Sequence, residues 1–108
     1  MGEIIIKIWV DDICPAPDGY IHCRSVNEAK TAIRFYEKNF NDDTILIDLD
    51  HDSGDYFNDG GDYIKILDWL EEEDIVDTGY FFHLHTRNPV GAKNMRRIIQ
   101  RNRWREIL

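Results

Sequence analysis

Apolar and polar positions divide the chain into alternating strand-like and helix-like stretches. Residues 4–10 (Ile-Ile-Ile-Lys-Ile-Trp-Val) are β-branched and almost uniformly apolar, the pattern of a strand covered on both faces. Asp11 and Asp12 end it. Residues 13–19 carry two prolines and a glycine and predict a loop. Tyr20 to Arg24 predicts a short strand. Ser25-Val-Asn-Glu28 has the form of a capping box, with Ser25 at the N-cap and Glu28 reaching back. Val26, Ala29, Ile33, Tyr36 and Phe40 then recur at helical spacing, predicting a helix over 26–39. Thr44 to Leu49 predicts a second buried strand, and residues 50–61, rich in Asp and Gly, a loop. Asp62 to Glu73 predicts a helix with Tyr63, Ile66, Leu67 and Leu70 on its apolar side, and Gly79 to His85 the third long strand. Asn88-Pro89 opens a last helix, because Asn accepts from the first free N–H groups and Pro is pre-set for the first helical position. Val90, Met95, Ile98 and Ile99 give that helix its apolar side.

Apolar strands alternating with amphipathic helices predict a parallel sheet with right-handed crossovers. The expectation is one α/β domain over residues 1–108. Its sheet is flavodoxin-like, of about four strands in the order 2-1-3-4, with helices on both faces. Such sheets bind ligands at the carboxyl ends of their strands. Three strands here end in polar clusters: Asp11-Asp12, Asp50-His51-Asp52, and His85-Thr86-Arg87-Asn88. If those strands are neighbours, four carboxylates, two imidazoles and an amide converge on one rim.

That set of residue types points to a metal or phosphate site. Adjacent carboxylates at a strand end repel and need a cation, a basic partner or solvent. Hard cations take oxygen ligands, often one or two carboxylates completed by water and phosphate oxygens. Asp48, Asp50 and Asp52 alternate and share one side of an extended chain. Asp48 falls inside an apolar strand, where burial demands a partner. A calcium-loop reading from Asp48 through Asp59 fails on Ser53 at the required glycine position. His83 reads as a hydrogen-bonded core histidine. His85, at the strand end, reads as an acid or base near neutrality. The helix opening at Asn88 offers free N–H groups to an anion, with Thr86, Arg87 and Lys93 as further donors. The phosphate-loop, dinucleotide, nucleophile-elbow and zinc-knuckle patterns are all absent.

Composition narrows the partners. The net charge of −8 argues against general DNA binding. Charge is segregated, however: Lys93, Arg96, Arg97, Arg101, Arg103 and Arg105 face only Glu106 over the last stretch. This reads as a solvated basic helix face or as attraction for an anionic ligand. Two cysteines, Cys14 and Cys23, without a secretory or myristoylation signal, fit a reduced, cytoplasmic protein. No apolar run reaches the length of a membrane span. Oligomeric state stays open, with Trp104 and Leu108 able to pack internally or against a second copy.

The motifs also resemble the cyclic-phosphate processing receiver domain family, a divergent branch of the receiver fold. The resemblance lies in Trp9-Val-Asp-Asp12 with Pro15-Ala-Pro-Asp-Gly19, in Leu49-Asp-His-Asp52, in Leu67-Asp-Trp-Leu-Glu71, and in His85-Thr-Arg-Asn-Pro-Val-Gly91 with Asn94-Met95. It runs from about residue 4 to residue 100. It implies a receiver-like fold, a divalent cation (Mg²⁺ or Mn²⁺) held by Asp11, Asp12 and Asp50, and a small phosphorylated ligand, either a cyclic nucleotide or the cyclic phosphate of an RNA end. On this reading Thr86, Arg87, Asn88, Gly91 and Asn94 bind phosphate, and His85, His51 and Asp52 carry catalysis. Cys14 stands where the family usually has Arg, and the usual receiver lysine has no counterpart, so aspartyl-phosphate signalling is not implied. The leading expectation is metal-assisted hydrolysis of a cyclic phosphate. Sequestration of a cyclic nucleotide without cleavage, or a receiver-like interaction domain, are the alternatives.

Overall fold

The computed structural model describes residues 5–39 and 44–108. Ile4 and Phe40, which the sequence pattern placed at the ends of a strand and a helix, lie outside them. In chain order the elements are β1 (Ile5–Val10), β2 (Ile21–Cys23), α1 (Val26–Asn39), β3 (Thr44–Leu49), a 3-10 turn (Gly54–Tyr56), α2 (Ile64–Glu72), β4 (Tyr80–Leu84), α3 (Pro89–Arg101) and β5 (Arg105–Glu106). All strands are parallel in the order β2-β1-β3-β4-β5. This is the expected parallel α/β sheet of the receiver class, with a fifth strand added.

Local chemistry sets the boundaries. Ser25 Oγ accepts the Glu28 N–H at 3.0 Å, while Glu28 accepts the Arg24 N–H at 2.9 Å, so the box at the start of α1 is closed one residue earlier than its simplest form. Asn88 caps α3 by accepting the Gly91 N–H at 3.0 Å, with Pro89 at the first position. Helix α2 starts at Ile64 rather than Asp62, because the Asp62 carboxylate turns back to the Ser53 N–H and hydroxyl instead of capping the helix.

Strand β5 corrects the expected strand count. After α3, Arg103 takes a left-handed turn at φ 57°. Arg105 and Glu106 then pair with Phe81 and Phe82. Two residues are too few to show an alternation, so nothing in the local pattern announced it. Its anchors are tertiary: Trp104 stacks on Phe82 at 5.1 Å, and Arg96 Nε donates to Glu106 at 2.9 Å.

Helix placement also differs from the expectation of helices on both faces. Residues 6, 8 and 10 of β1, 45, 47 and 49 of β3, and 80 and 82 of β4 are buried, in one core with Val26, Ala29 and Ile33 of α1, Ile66, Leu67 and Leu70 of α2, and Met95, Ile98 and Ile99 of α3. All three helices among the described residues therefore cover one side of the sheet. Right-handed crossovers explain this. The steps from β2 to β3, β3 to β4 and β4 to β5 advance in one direction, which puts their helices on one side. Only the step from β1 to β2 runs the other way, and residues 11–20 make it as a loop without a helix. The opposite side carries Ile5, Lys7, Trp9, Leu46, Phe81 and His83, all at least partly exposed, with the acid Asp48 the buried exception. Among the described residues, no helix is long and apolar enough to cross a membrane.

Candidate functional site

The carboxyl ends of β1, β3 and β4 lie side by side, held by backbone bonds that continue the ladder past the strands. Asp50 N–H donates to Val10 O and His85 N–H to Leu49 O, each at 2.9 Å. Sequence order therefore fixes the rim: Asp11 and Asp12 follow β1, Asp50 to Asp52 follow β3, and His85 to Asn88 follow β4.

Asp11, Asp12 and Asp50 converge, each offering an oxygen within 4.8 Å of the others. Asp11 is buried; Asp12 and Asp50 are partly so. Burial opposes the charge on Asp11, but the N–H groups of Ile13 and Cys14, each 2.9 Å from Oδ1, together with His85 outweigh it and leave its pKa below the ordinary carboxylate value. Asp12 goes the other way. Burial first, then the Asp11 and Asp50 charges, push it above that value. Crowded carboxylates of this kind are the all-oxygen donor set a hard divalent cation requires. The approach is tight: Gly54, at φ 53°, comes so near the Asp12 carboxylate that a Cβ there would overlap Oδ2.

Beside the carboxylates opens a cleft of about 730 Å³. Asp11, Asp50 and Asp52 line its acidic wall, with Trp9 and Cys14 next to them. His85, Thr86, Arg87 and Asn88 complete the lining. Asn88 N–H donates to Thr86 Oγ1 at 3.1 Å, which ties this segment to the cap of α3. Arg87 is exposed and makes no hydrogen bond or ion pair with the described residues, so its guanidinium is available at the mouth. Asn94 is exposed on α3 and Gly91 is buried in its first turn; neither lines the cleft, and Asp12 and His51 also stand outside its lining.

His51 and His85 differ in what their rings can do. His85 donates from Nδ1 to Asp48 at 2.6 Å and from Nε2 to Asp11 at 2.9 Å, and its ring stacks on Trp9 at 3.8 Å with 3° between planes. Set between two carboxylates, which accept hydrogen bonds when ionised, both ring nitrogens are placed to donate. Burial pulls its pKa down, but the hydrogen bonds and charges of Asp48 and Asp11 prevail and hold it above the ordinary histidine value. Both nitrogens are thus engaged within the protein. His51 Nδ1 pairs with Asp52 at 2.8 Å, and Nε2 makes no bond to the described residues. The His51 ring lies against the first turn of α3 so closely that a Cβ on Gly91 would overlap it. His51, Asp52 and Asp62 form a second group with ligand atoms within 4.8 Å of one another.

Asp48 is the site residue whose role the sequence left unassigned. It is buried on β3 and accepts from both His83, at 2.9 Å, and His85. An acid inside an apolar run was the available signal, and its partners are the imidazoles at alternating positions of the neighbouring strand. His83 is hydrogen-bonded as expected, but 36% of its side chain is exposed, so it is not a core residue. Asp48 is thereby spent, and Asp59 is spent on Ser25 and Asn27, which closes the calcium-loop reading. Cys14 and Cys23 are both free thiols.

No curated protein and no solved structure matches the chain. A family model, described as the Cyclic-phosphate processing Receiver domain, matches residues 6–101 and spans every strand end that builds the rim. With that match over most of its length and a parallel sheet of the receiver class, the chain belongs to the Cyclic-phosphate processing Receiver domain family.

Proposed function

We propose that the protein binds a small cyclic phosphate in the cleft beside Asp11, Asp12 and Asp50 and hydrolyses it with the help of a divalent cation, Mg²⁺ or Mn²⁺. The observation that carries this reading is the approach of Asp11, Asp12 and Asp50 within 4.8 Å, two of which, Asp11 and Asp50, line one cleft together with Thr86, Arg87 and Asn88. Asp11, Asp12 and Asp50 would hold the cation, which supplies charge to the phosphate oxygens and lowers the pKa of water. Arg87, the Thr86 hydroxyl and the N–H groups opening α3 bind the remaining anionic oxygens. The reaction adds water across one ring P–O bond: the hydroxide part bonds to phosphorus and a proton ends on the departing ring oxygen. With both nitrogens of His85 engaged, proton transfer is assigned to His51 Nε2, reaching in from just outside the cleft lining, with Asp52, which lines the cleft, holding Nδ1–H and fixing the tautomer. Gly91 gives its N–H to the Asn88 cap, and Asn94 lies outside the cleft lining.

The test is incubation with 2′,3′- and 3′,5′-cyclic nucleotides and Mg²⁺ or Mn²⁺, followed by phosphorus NMR. Linear monophosphate should appear, and Asp12→Ala and His51→Ala should each abolish it while the circular dichroism spectrum persists. Wild-type turnover in either variant removes that residue's role. Recovery of intact, tightly bound ligand after denaturation would instead make the protein a binding module.

A further inference from the structure

We propose that Asp48 and His85 are positioning residues that fix the Asp11 carboxylate in a single orientation and leave it one direction in which to ligate. A carboxylate has about four lone-pair sites. On Asp11, Ile13 N–H and Cys14 N–H fill two on Oδ1, and His85 Nε2–H fills one on Oδ2. One site on Oδ2 is left. Which way it points depends on where the His85 ring stands, and three contacts from two neighbouring strands set that residue. Asp48 of β3 accepts from Nδ1 at 2.6 Å, Trp9 of β1 stacks flat against it, and the His85 N–H continues the β4 ladder to Leu49. Turning the ring over would present carbon to both carboxylates, so the stack and the two hydrogen bonds enforce one pose. The side chains involved are shielded: 15% of His85, 7% of Asp48 and 3% of Asp11 is exposed. Partners of this kind, one bond removed from a ligand, change metal affinity by about 10–100-fold when removed. His83 donates to the same Asp48 oxygen but lies off the path to Asp11, which makes it the internal control.

This inference uses the cation reading above only for its second readout. The first readout needs no metal: amide hydrogen exchange at Ile13 and Cys14 in chelator-treated protein. His85→Ala and Asp48→Asn should accelerate both amides selectively, Ala29 of α1 serving as the folded reference, while His83→Ala leaves them unchanged. The second is Mg²⁺ titration followed by backbone amide shifts. There His85→Ala should weaken binding by about 10–100-fold, with recovery on adding free imidazole to refill the space on Trp9. Asp48→Asn keeps the side-chain shape and serves if His85→Ala fails to fold. Unchanged exchange at Ile13 and Cys14 in both variants overturns the positioning role. A wild-type protein that ignores Mg²⁺ overturns the cation reading alone, because the amide readout still decides this one.

Discussion

At the residue scale, the carboxylate–imidazole–carboxylate chain makes stability depend on pH from two sides. Burial opposes charge on His85, yet Asp48 and Asp11 raise its pKa above the ordinary 6.5. Its contribution is therefore complete below about 6.5 and is lost as pH rises through the elevated folded value. Asp11 is the mirror case. Its folded pKa lies below the ordinary 3.8, so its contribution is complete above about 3.8 and is lost as pH falls through the depressed value. In chelator-treated protein the urea midpoint should decline above about 6.5 through His85 and on the acid side through Asp11, while Asp12, whose pKa is raised, adds a smaller loss as pH rises from about 3.8. His85→Ala should remove the alkaline decline, and an unaltered alkaline limb in that variant would contradict the assignment. The thiols divide similarly. Burial pushes Cys23 up to about 11, whereas Cys14 is exposed on the cleft. Aromatic-disulfide labelling of native protein should modify Cys14 alone, with Cys23 reacting only after denaturation.

At the element scale, helix starts decide where side chains stand. Gly91 in the first turn of α3 leaves room for the His51 ring, so Gly91→Ala forces one or the other to move. It should cost about 1–3 kcal/mol and disturb the cleft, visible as shifted His51 ring resonances. Ser25 starts α1 at the carboxyl end of β2, outside the residues that line the cleft, and its hydroxyl accepts the Glu28 N–H and donates to Asp59. Ser25→Ala should cost about 0.5–2 kcal/mol in urea unfolding while leaving Mg²⁺ affinity at the wild-type level. These starts were legible because their chemistry is local: Ser25 and Asn88-Pro89 are read within four residues of chain. The three polar strand ends were legible for the same reason, since a parallel sheet brings carboxyl ends together whatever fills its core. Local pattern fails where a contact is made across the sheet. Asp48 acquires its meaning from His83 and His85 on the next strand, and the two residues of β5 from Phe82, Trp104 and Arg96.

For the whole molecule, the direction of the crossovers matters more than the number of strands. Residues 4–10 are apolar at nearly every position, which reads as cover on both faces, yet every helix among the described residues lies on one side and Ile5 is 51% exposed. The two sides of a strand should therefore differ sharply in what they contribute. Leu46 and Ile47 are adjacent on β3 and point to opposite sides, Ile47 into the helix-covered core and Leu46 toward the shallow groove formed with Ile5, Phe81 and Ile107. Truncating Ile47 leaves a cavity in a closed core, so Ile47→Ala should cost about 2–5 kcal/mol in urea unfolding. Leu46→Ala removes a side chain that already meets solvent and should cost no more than about 1 kcal/mol. Equal losses at the two positions would mean that the open side is covered in solution, and the same urea series repeated over a range of protein concentrations would then tell cover by a second copy, which strengthens with concentration, from cover within the chain, which does not.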